Sequence, residues 1–267
     1  MVQSLLTGGD AAWLTRTASE IREIAGREGS ILVVPLGSVE QHGDHLPVGT
    51  DSLLAGEVSN RTADRLVDEV PLLVTPTVWS GLSSHHLPFG GTMTAEFETA
   101  HALLEELSTS ALDNGFDAMV LINGHGGNTS LVSTVVNTVG RANESAEVLG
   151  VTYFELATEA ITELRDSDPG GMAHGGEFET SLMLHLFPDL VREELADGTY
   201  LDEPYEGGRQ DLLVGGPVSV YRGFDAYSDS GAIGDPALAD REKGAEMFEA
   251  VRTELEELLR TVHERNR

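Results

Sequence analysis

Cysteine is absent from the 267-residue chain, and lysine occurs only once, as Lys243. The lack of cysteine excludes disulfides and thiolate chemistry. No stretch approaches the roughly 18 consecutive apolar residues of a membrane span, and Met1–Leu14 has neither the basic segment nor the apolar core of a secretory signal. We therefore predict a cytoplasmic protein that does not enter a membrane.

Basic residues are few in general: 16 face 45 acidic residues, which gives a formal net charge of −29. Such a polyanion repels phosphate backbones and anionic lipid surfaces, so we expect neither nucleic acid nor a membrane as a partner. An active site needs only a handful of carboxylates. The excess favours a solvated acidic surface suited to high salt, where screening weakens self-repulsion. Binding of a cationic partner is the alternative.

Short apolar runs alternate with helical patterns along the chain. The strand candidates are Ile31–Leu36, Leu72–Val78, Ala118–Ile122 and, more weakly, Val148–Phe154. Apolar residues at three- and four-residue spacing predict helices over Ser52–Val67, Thr94–Asn114 and Ser130–Asn143. Uninterrupted strands between helices indicate an α/β fold whose mostly parallel sheet is covered on both faces. Since no linker or repeat interrupts the pattern, we expect one domain over residues 1–267.

The C-terminal part is predicted to end in a long helix. Asp235-Pro236 suits a helix start, with Asp as the N-cap and Pro in the first turn. The helix would run to about His263 and bury Met247, Phe248, Val251, Leu255 and Leu258. The preceding stretch, Tyr200–Tyr227, shows no clear period and is interpreted as loops and short strands.

The polar motif after the first strand contains Glu40, His42 and, further on, Asp51. In an extended segment residues two apart point the same way, so Glu40 and His42 project together. Asp51 opens the next helix, where its carboxylate can turn toward that pair. One imidazole and two carboxylates form a mixed nitrogen and oxygen site for Zn²⁺, Mn²⁺ or Fe²⁺. A polar loop with a helix cap remains the alternative.

Two further motifs place histidines between glycines. His125 lies in Asn-Gly-His-Gly-Gly-Asn after the third strand, where the glycines leave the imidazole unobstructed, although a plain tight turn has the same composition. His174 precedes Glu177 and Glu179 at a helix start. Both acids suit a first helical turn regardless of function. We interpret His174 as a mobile, exposed imidazole suited to proton transfer.

Five other histidines are assigned structural roles. His85 and His86 follow the second strand, and adjacent side chains point in different directions, so surface or packing roles are favoured over metal binding. His101, His185 and His263 lie in predicted helices and are interpreted as structural.

Together these motifs resemble the creatininase (creatinine amidohydrolase) family. The resemblance covers roughly Ile31 to Pro188, and the motif Gly231-x-x-Gly234-Asp235-Pro236 is also similar. It implies a three-layer α/β/α sandwich and a homo-oligomer, often a hexamer. It further implies a hydrolase that cleaves the C–N bond of an amide or cyclic amide, with creatinine as the substrate of the family's type reaction.

The resemblance also implies roles for individual residues. Two divalent cations (Zn, Mn or Fe) would be bridged by Asp51. The first would also be held by Glu40 and His125, and the second by His42 and Glu179. The resemblance further makes His174 the proton-transfer residue and puts Ser83 and Gly126 in the substrate pocket.

The chain departs from true creatininases at Gly126-Gly127, where those enzymes carry Tyr-Glu, and it lacks their tryptophan shortly before His174. Glu177 is then the candidate for the second acid that Gly127 cannot supply. The Gly-Gly version is similar to the formamidopyrimidine-nucleotide deformylases and the mycofactocin peptidase, whose substrates stand beside creatinine as alternatives.

Two rival functions remain. A metal- or ligand-binding protein with a degenerate site would not require the filled His174 position. A phosphate-handling α/β protein would need a glycine-rich Lys/Ser fingerprint, which is absent.

Overall fold

The computed structural model describes residues 9–201, 205 and 207–267. Within them one parallel sheet has the strand order β2-β1-β3-β4. The strands are β1 Ile31–Leu36, β2 Leu72–Val74, β3 Ala118–Asn123 and β4 Glu147–Thr152. The α-helices are α1 Ala18–Ala25, α2 Thr50–Leu66, α3 Phe97–Leu112, α4 Thr129–Ala142, α5 Tyr153–Leu156, α6 Thr158–Leu164, α7 Glu177–Leu186 and α8 Arg241–Arg265.

Helices cover both faces of this sheet. Ile31 and Val33 of β1 belong to a core shared with α2, α7 and α8. Leu32 and Val34, which point the other way, belong to a second core shared with α1, α3 and α4. Because both faces are buried, β1, β2 and the first five residues of β3 are apolar throughout rather than alternating, whereas β4 at one edge of the sheet is only partly buried and begins with Glu147. The predicted α/β/α sandwich with a parallel sheet is confirmed.

Several predicted boundaries were wrong. Strand β2 stops at Val74, before Pro76, and Val78 forms only an isolated bridge with Leu36. Strand β4 ends at Thr152, and the rest of the predicted strand is helical. The predicted helix Thr94–Asn114 begins later, at Phe97.

The last helix also begins later than predicted. Asp235-Pro236 opens only a 3-10 turn and makes no side-chain cap. Asp240 is the N-cap of α8, since its Oδ1 accepts from the backbone N–H of Lys243 at 2.9 Å. The buried side chains of α8 include Leu259 and Val262, whereas Leu258 is only partly buried. In Tyr200–Tyr227, positions 202–204 and 206 lie outside the described residues. The remainder is irregular apart from an isolated parallel bridge between Gly208 and Val218 and the 3-10 turn at Phe224–Ala226.

The loops that leave β1, β2 and β3 at their carboxyl ends meet on one edge of the sheet. In an open parallel sheet this edge is the usual place for a ligand. No helix among residues 9–201, 205 and 207–267 is long and apolar enough to cross a membrane.

Candidate metal centre

Two asparagines fix the loops that carry the polar motifs. The side-chain amide of Asn128 donates to the Gly37 carbonyl at 3.0 Å, and its oxygen accepts from the Leu82 N–H at 2.9 Å. It therefore ties the loops after β1, β2 and β3 together. Asn123 closes the turn around His125 through two hydrogen bonds, to the His125 carbonyl at 2.8 Å and from its N–H at 3.1 Å.

Asp51 lies at the centre of a buried cluster of imidazoles and carboxylates. Its Oδ1 is 3.1 Å from His42 Nε2, and its Oδ2 is 3.2 Å from His125 Nδ1. Glu40 Oε1 lies 3.1 Å from the same His125 nitrogen, and Glu179 Oε1 lies 3.9 Å from His42 Nε2. The structure thus brings together all five residues expected as ligands, in two halves that share Asp51.

Backbone carbonyls set the tautomers of both imidazoles in this cluster. His42 Nδ1 is 3.0 Å from the Glu40 carbonyl, and His125 Nε2 is 3.1 Å from the Leu82 carbonyl. A carbonyl can only accept, so these nitrogens carry the protons of the neutral rings. The opposite nitrogens then turn lone pairs toward the carboxylates of Asp51, Glu40 and Glu179. Lone pairs facing carboxylates repel unless a cation lies between them, and this arrangement is the usual one for metal-binding histidines.

The donor set fits a divalent metal. Glu40 Oε1, Glu40 Oε2 and Asp51 Oδ2 are buried without a hydrogen-bond partner. Such atoms are costly unless they are compensated. Metal–ligand bonds of about 2.0–2.2 Å separate neighbouring donors by roughly 3.0–3.5 Å. Three of the four separations above fall in this range, and the His42–Glu179 separation is only slightly longer.

The protonation behaviour of the cluster shows the same need for positive charge. Burial opposes a charge on His42, but Asp51, Glu179 and Glu40 raise its pKa to about 10. Burial also raises the pKa of Glu179 to about 7, with His42 opposing and Asp51 adding to the shift. Three carboxylates packed this closely stabilise any cation that reaches them.

His174 reaches the cluster from the loop before α7. Its Nε2 is 2.5 Å from the Gln41 carbonyl, and its Nδ1 is 3.6 Å from Glu40 Oε1. The expectation of an exposed, mobile ring was wrong, because only 9% of His174 is accessible. The Ile233 N–H donates to the His174 carbonyl at 2.7 Å, and the Phe224 ring lies 5.2 Å from the imidazole.

The sequence model of the creatininase (creatinine amidohydrolase) family matches residues 15–259. The chain belongs to the creatininase family. It is 33% identical to the mycofactocin precursor peptide peptidase of Mycobacterium tuberculosis over 226 residues, which are 82% of this chain and 80% of that protein. It is 27% identical to the creatinine amidohydrolase of Pseudomonas putida over 260 residues, 88% of this chain and 90% of that one.

Solved creatininases share the fold. A structure described as a manganese creatininase superposes with a TM-score of 0.80 at 25% identity, covering 94% of this chain and 98% of that chain. A variant creatininase described as Zn-Zn type gives 0.79 at 25% identity, with 94% and 97% covered. The family confirms the predicted hydrolase of C–N bonds, and its relatives include both a peptidase and an amidohydrolase.

Unlike the five expected metal ligands, Glu177 bonds to groups outside the cluster. Its two carboxylate oxygens accept from the backbone N–H groups of Asp166 and Ser167, both at 2.9 Å, and Oε1 also lies 2.5 Å from Lys243 Nζ. Burial works against ionisation, but Lys243 and Ser167 lower the Glu177 pKa. Glu177 thus links α7 to Lys243 on α8 and to the loop that precedes α7. Because its carboxylate is held by these partners, the geometry contradicts a second catalytic acid at this position.

The adjacent histidines were misjudged. His86 is fully buried inside the site, with Nδ1 2.9 Å from the Gln41 amide nitrogen and Nε2 3.3 Å from Glu40 Oε1. His85 is half-buried, and one of its nitrogens lies within 4.8 Å of ligand atoms of Glu40 and His125. Both rings face the site on the 3-10 helix Ser84–Phe89, whereas we expected adjacent side chains to point in different directions.

Ser83 and Gly126 border the His125 half. Ser83 is fully buried, hydrogen-bonded to the Ser38 hydroxyl, and its Oγ lies 3.5 Å from His125 Nε2. Gly126 is exposed, and a side chain there would meet nothing within 4 Å. Gly126 is thus a solvent-exposed neighbour of His125, with open space where a side chain would otherwise stand.

Proposed function

We propose that the cluster holds two divalent cations bridged by Asp51, and that the enzyme hydrolyses an amide C–N bond there. Glu40, His125 and Asp51 Oδ2 would hold one cation, and His42, Glu179 and Asp51 Oδ1 the other. The observation that carries this proposal is the position of Asp51, with one oxygen facing each imidazole at 3.1 and 3.2 Å. The mixed nitrogen and oxygen donors suit Zn²⁺, Mn²⁺ or Fe²⁺.

Each side chain has a distinct task in this reaction. Two cations in such a centre activate water and polarise the scissile carbonyl. The remaining step is proton delivery to the leaving nitrogen, for which His174 is suited. Its Nε2–H is held by the Gln41 carbonyl, so Nδ1, 3.6 Å from Glu40, is the nitrogen that accepts and returns a proton. Ser83 and Gly126 would border the bound substrate.

Among the substrate classes, we favour a peptide-like amide over creatinine. The exposed Gly126 next to His125 offers unoccupied space for a chain that extends beyond the scissile bond. The chain also lacks the tryptophan that true creatininases have shortly before the histidine equivalent to His174. The aromatic ring next to His86 and His174 is instead that of Phe224, and Trp13 packs on Phe116. The mycofactocin peptidase is also more similar in sequence, at 33% against 27% for the creatinine amidohydrolase.

The test is a hydrolysis screen of the metal-reconstituted enzyme in high salt. Short peptides, creatinine and a formamidopyrimidine nucleotide would be compared, with release of the amine product as the readout. We expect peptide cleavage that chelators abolish and that Mn²⁺ or Zn²⁺ restores. Cleavage of creatinine but no peptide would refute the substrate preference. No C–N hydrolysis by protein that holds both cations would refute the catalytic proposal.

Four further properties remain predictions. The −29 net charge supports a protein adapted to high salt. The resemblance to the family supports a homo-oligomer, with a hexamer as the specific expectation. The cytoplasmic location and the single domain over residues 1–267 remain predictions as well.

A further inference from the structure

We propose that Gln41 and His86 form a relay that positions the Glu40 carboxylate, and that Gly231 is required to seat Gln41. Neither the Gln41 side chain nor His86 has an assigned role in the hydrolysis, and the Gly231 motif has so far been explained only by resemblance. The inference rests on the proposed function, since it concerns the orientation of a metal ligand.

The orientation of the Gln41 amide is fixed by its neighbours. Its Oε1 accepts from the Gly43 N–H at 2.8 Å, so the other terminal atom must be the NH₂ group. That nitrogen donates to the Gly231 carbonyl at 3.0 Å and lies 2.9 Å from His86 Nδ1. Because the amide nitrogen only donates, His86 Nδ1 must accept.

This acceptance sets the tautomer of His86. With a lone pair on Nδ1, the neutral ring carries its proton on Nε2, which lies 3.3 Å from Glu40 Oε1. Both atoms are buried, and neither has a hydrogen-bond partner. At 3.3 Å the Nε2–H is close enough to donate to this carboxylate oxygen once the two groups are aligned. The relay therefore runs from the Gly231 carbonyl through Gln41 and His86 to Glu40.

The other imidazoles near Glu40 do not offer this contact. His125 Nδ1 at 3.1 Å and His174 Nδ1 at 3.6 Å present lone pairs, because the opposite nitrogens of both rings donate to carbonyls. His86 is thus the imidazole that holds the Glu40 carboxylate by donation while those lone pairs remain available to a cation. Partners of this kind orient a ligand and increase its affinity for metal.

Gly231 fits the relay through its backbone. Its φ of 88° lies in the left-handed region, and a Cβ there would collide with the Gln41 side-chain amide. Its N–H donates to Ser228 Oγ at 3.1 Å, which aims the carbonyl at Gln41. These contacts explain why the C-terminal motif has glycine at position 231.

The test compares His86→Leu, Gln41→Leu and the double variant with wild type and with His101→Leu. His101 is the control because this histidine of α3 pairs with Thr138 of α4 at 3.0 Å and takes no part in the cluster. Zn²⁺ affinity would be measured by competition with a chromophoric chelator, and Co²⁺ absorption would report the coordination of each cation. Circular dichroism would verify that each variant is folded.

We expect each single variant to lose roughly 10–100-fold in affinity for one of two Zn²⁺ equivalents. The double variant should lose no more Zn²⁺ affinity than either single variant, because each single change already breaks the chain of hydrogen bonds that leads to Glu40. His86→Gln should restore most of the affinity, because its amide can accept from Gln41 and donate to Glu40. Additive losses, unchanged affinities, or no rescue by His86→Gln in folded protein would overturn the relay. Wild-type protein that binds no Zn²⁺ would overturn the proposed function and the relay together.

Discussion

Replacing Glu177 by Gln tests whether this residue supports the fold or takes part in catalysis. The carboxylate accepts two backbone N–H groups at 2.9 Å, and the single lysine of the chain lies 2.5 Å from Oε1. Gln is nearly isosteric but presents an NH₂ group where one of these donors now points. One buried donor therefore loses its acceptor, and Lys243 loses a charged partner.

The magnitude follows from these contacts. A hydrogen bond to a charged group contributes about 1.5–3 kcal/mol, and an unsatisfied buried donor costs about 1–3 kcal/mol. Lys243 keeps Asp166 and the Leu238 carbonyl, which offsets part of the loss. We expect the free energy of unfolding to fall by about 2–4 kcal/mol in total. At about 2–4 °C per kcal/mol for a domain of this size, the melting temperature should fall by roughly 5–15 °C.

The assay combines thermal unfolding with turnover of the metal-loaded enzyme at a temperature where both proteins are folded. Turnover should stay close to wild type. Because the folded-state pKa of Glu177 is lowered, the stability difference should be present at neutral pH and shrink as the pH falls through that pKa. Lys243→Met should reproduce the loss of stability. An unchanged melting temperature together with a turnover 10²-fold lower would refute this reasoning and restore Glu177 as a catalytic acid.

Four other outcomes follow. Asp51→Asn should lose both cations and all activity, and full metal content in that variant would reduce Asp51 to a residue of the first turn of α2. His174→Ala should keep both cations and near-normal substrate affinity while turnover falls by roughly 10²–10⁴-fold. Glu179→Gln should instead lose one cation. Metal loss in His174→Ala but not in Glu179→Gln would mean that His174 is the metal ligand and Glu179 is not. Removal of molar KCl should lower the melting temperature through repulsion between acidic side chains, and an unchanged value would refute the high-salt reading.

The sheet could be predicted because local patterns encode it, and the five proposed ligands followed from polar motifs at strand ends together with the resemblance to the creatininase family. A strand buried on both faces is apolar throughout, as in Ile31–Leu36, and its carboxyl end marks where polar residues converge. The boundaries failed where a local signal misled. Asp235-Pro236 has the composition of a helix start, but the chain turns once more before Asp240 caps α8.

The roles of Glu177, His86 and His174 depend on contacts distant in sequence, which no local pattern reveals. Glu177 is paired with Lys243, 66 residues further along the chain. His174 is buried by the segment around Ile233. His86 is oriented by Gln41, itself held by Gly231. The sequence did contain one signal for His86. The segment after β2 is bracketed by Gly81 and Gly90-Gly91, and glycines on both sides of a polar segment suggest a turn that folds back on the site.

The central claim is a two-cation centre bridged by Asp51, and anomalous diffraction from crystals grown with Mn²⁺ tests it most directly. We expect two anomalous peaks about 3.5–4 Å apart. One should lie between Glu40 and His125 and the other between His42 and Glu179, each next to a different oxygen of Asp51. A single peak, or peaks away from Asp51, would contradict a two-cation centre bridged by Asp51.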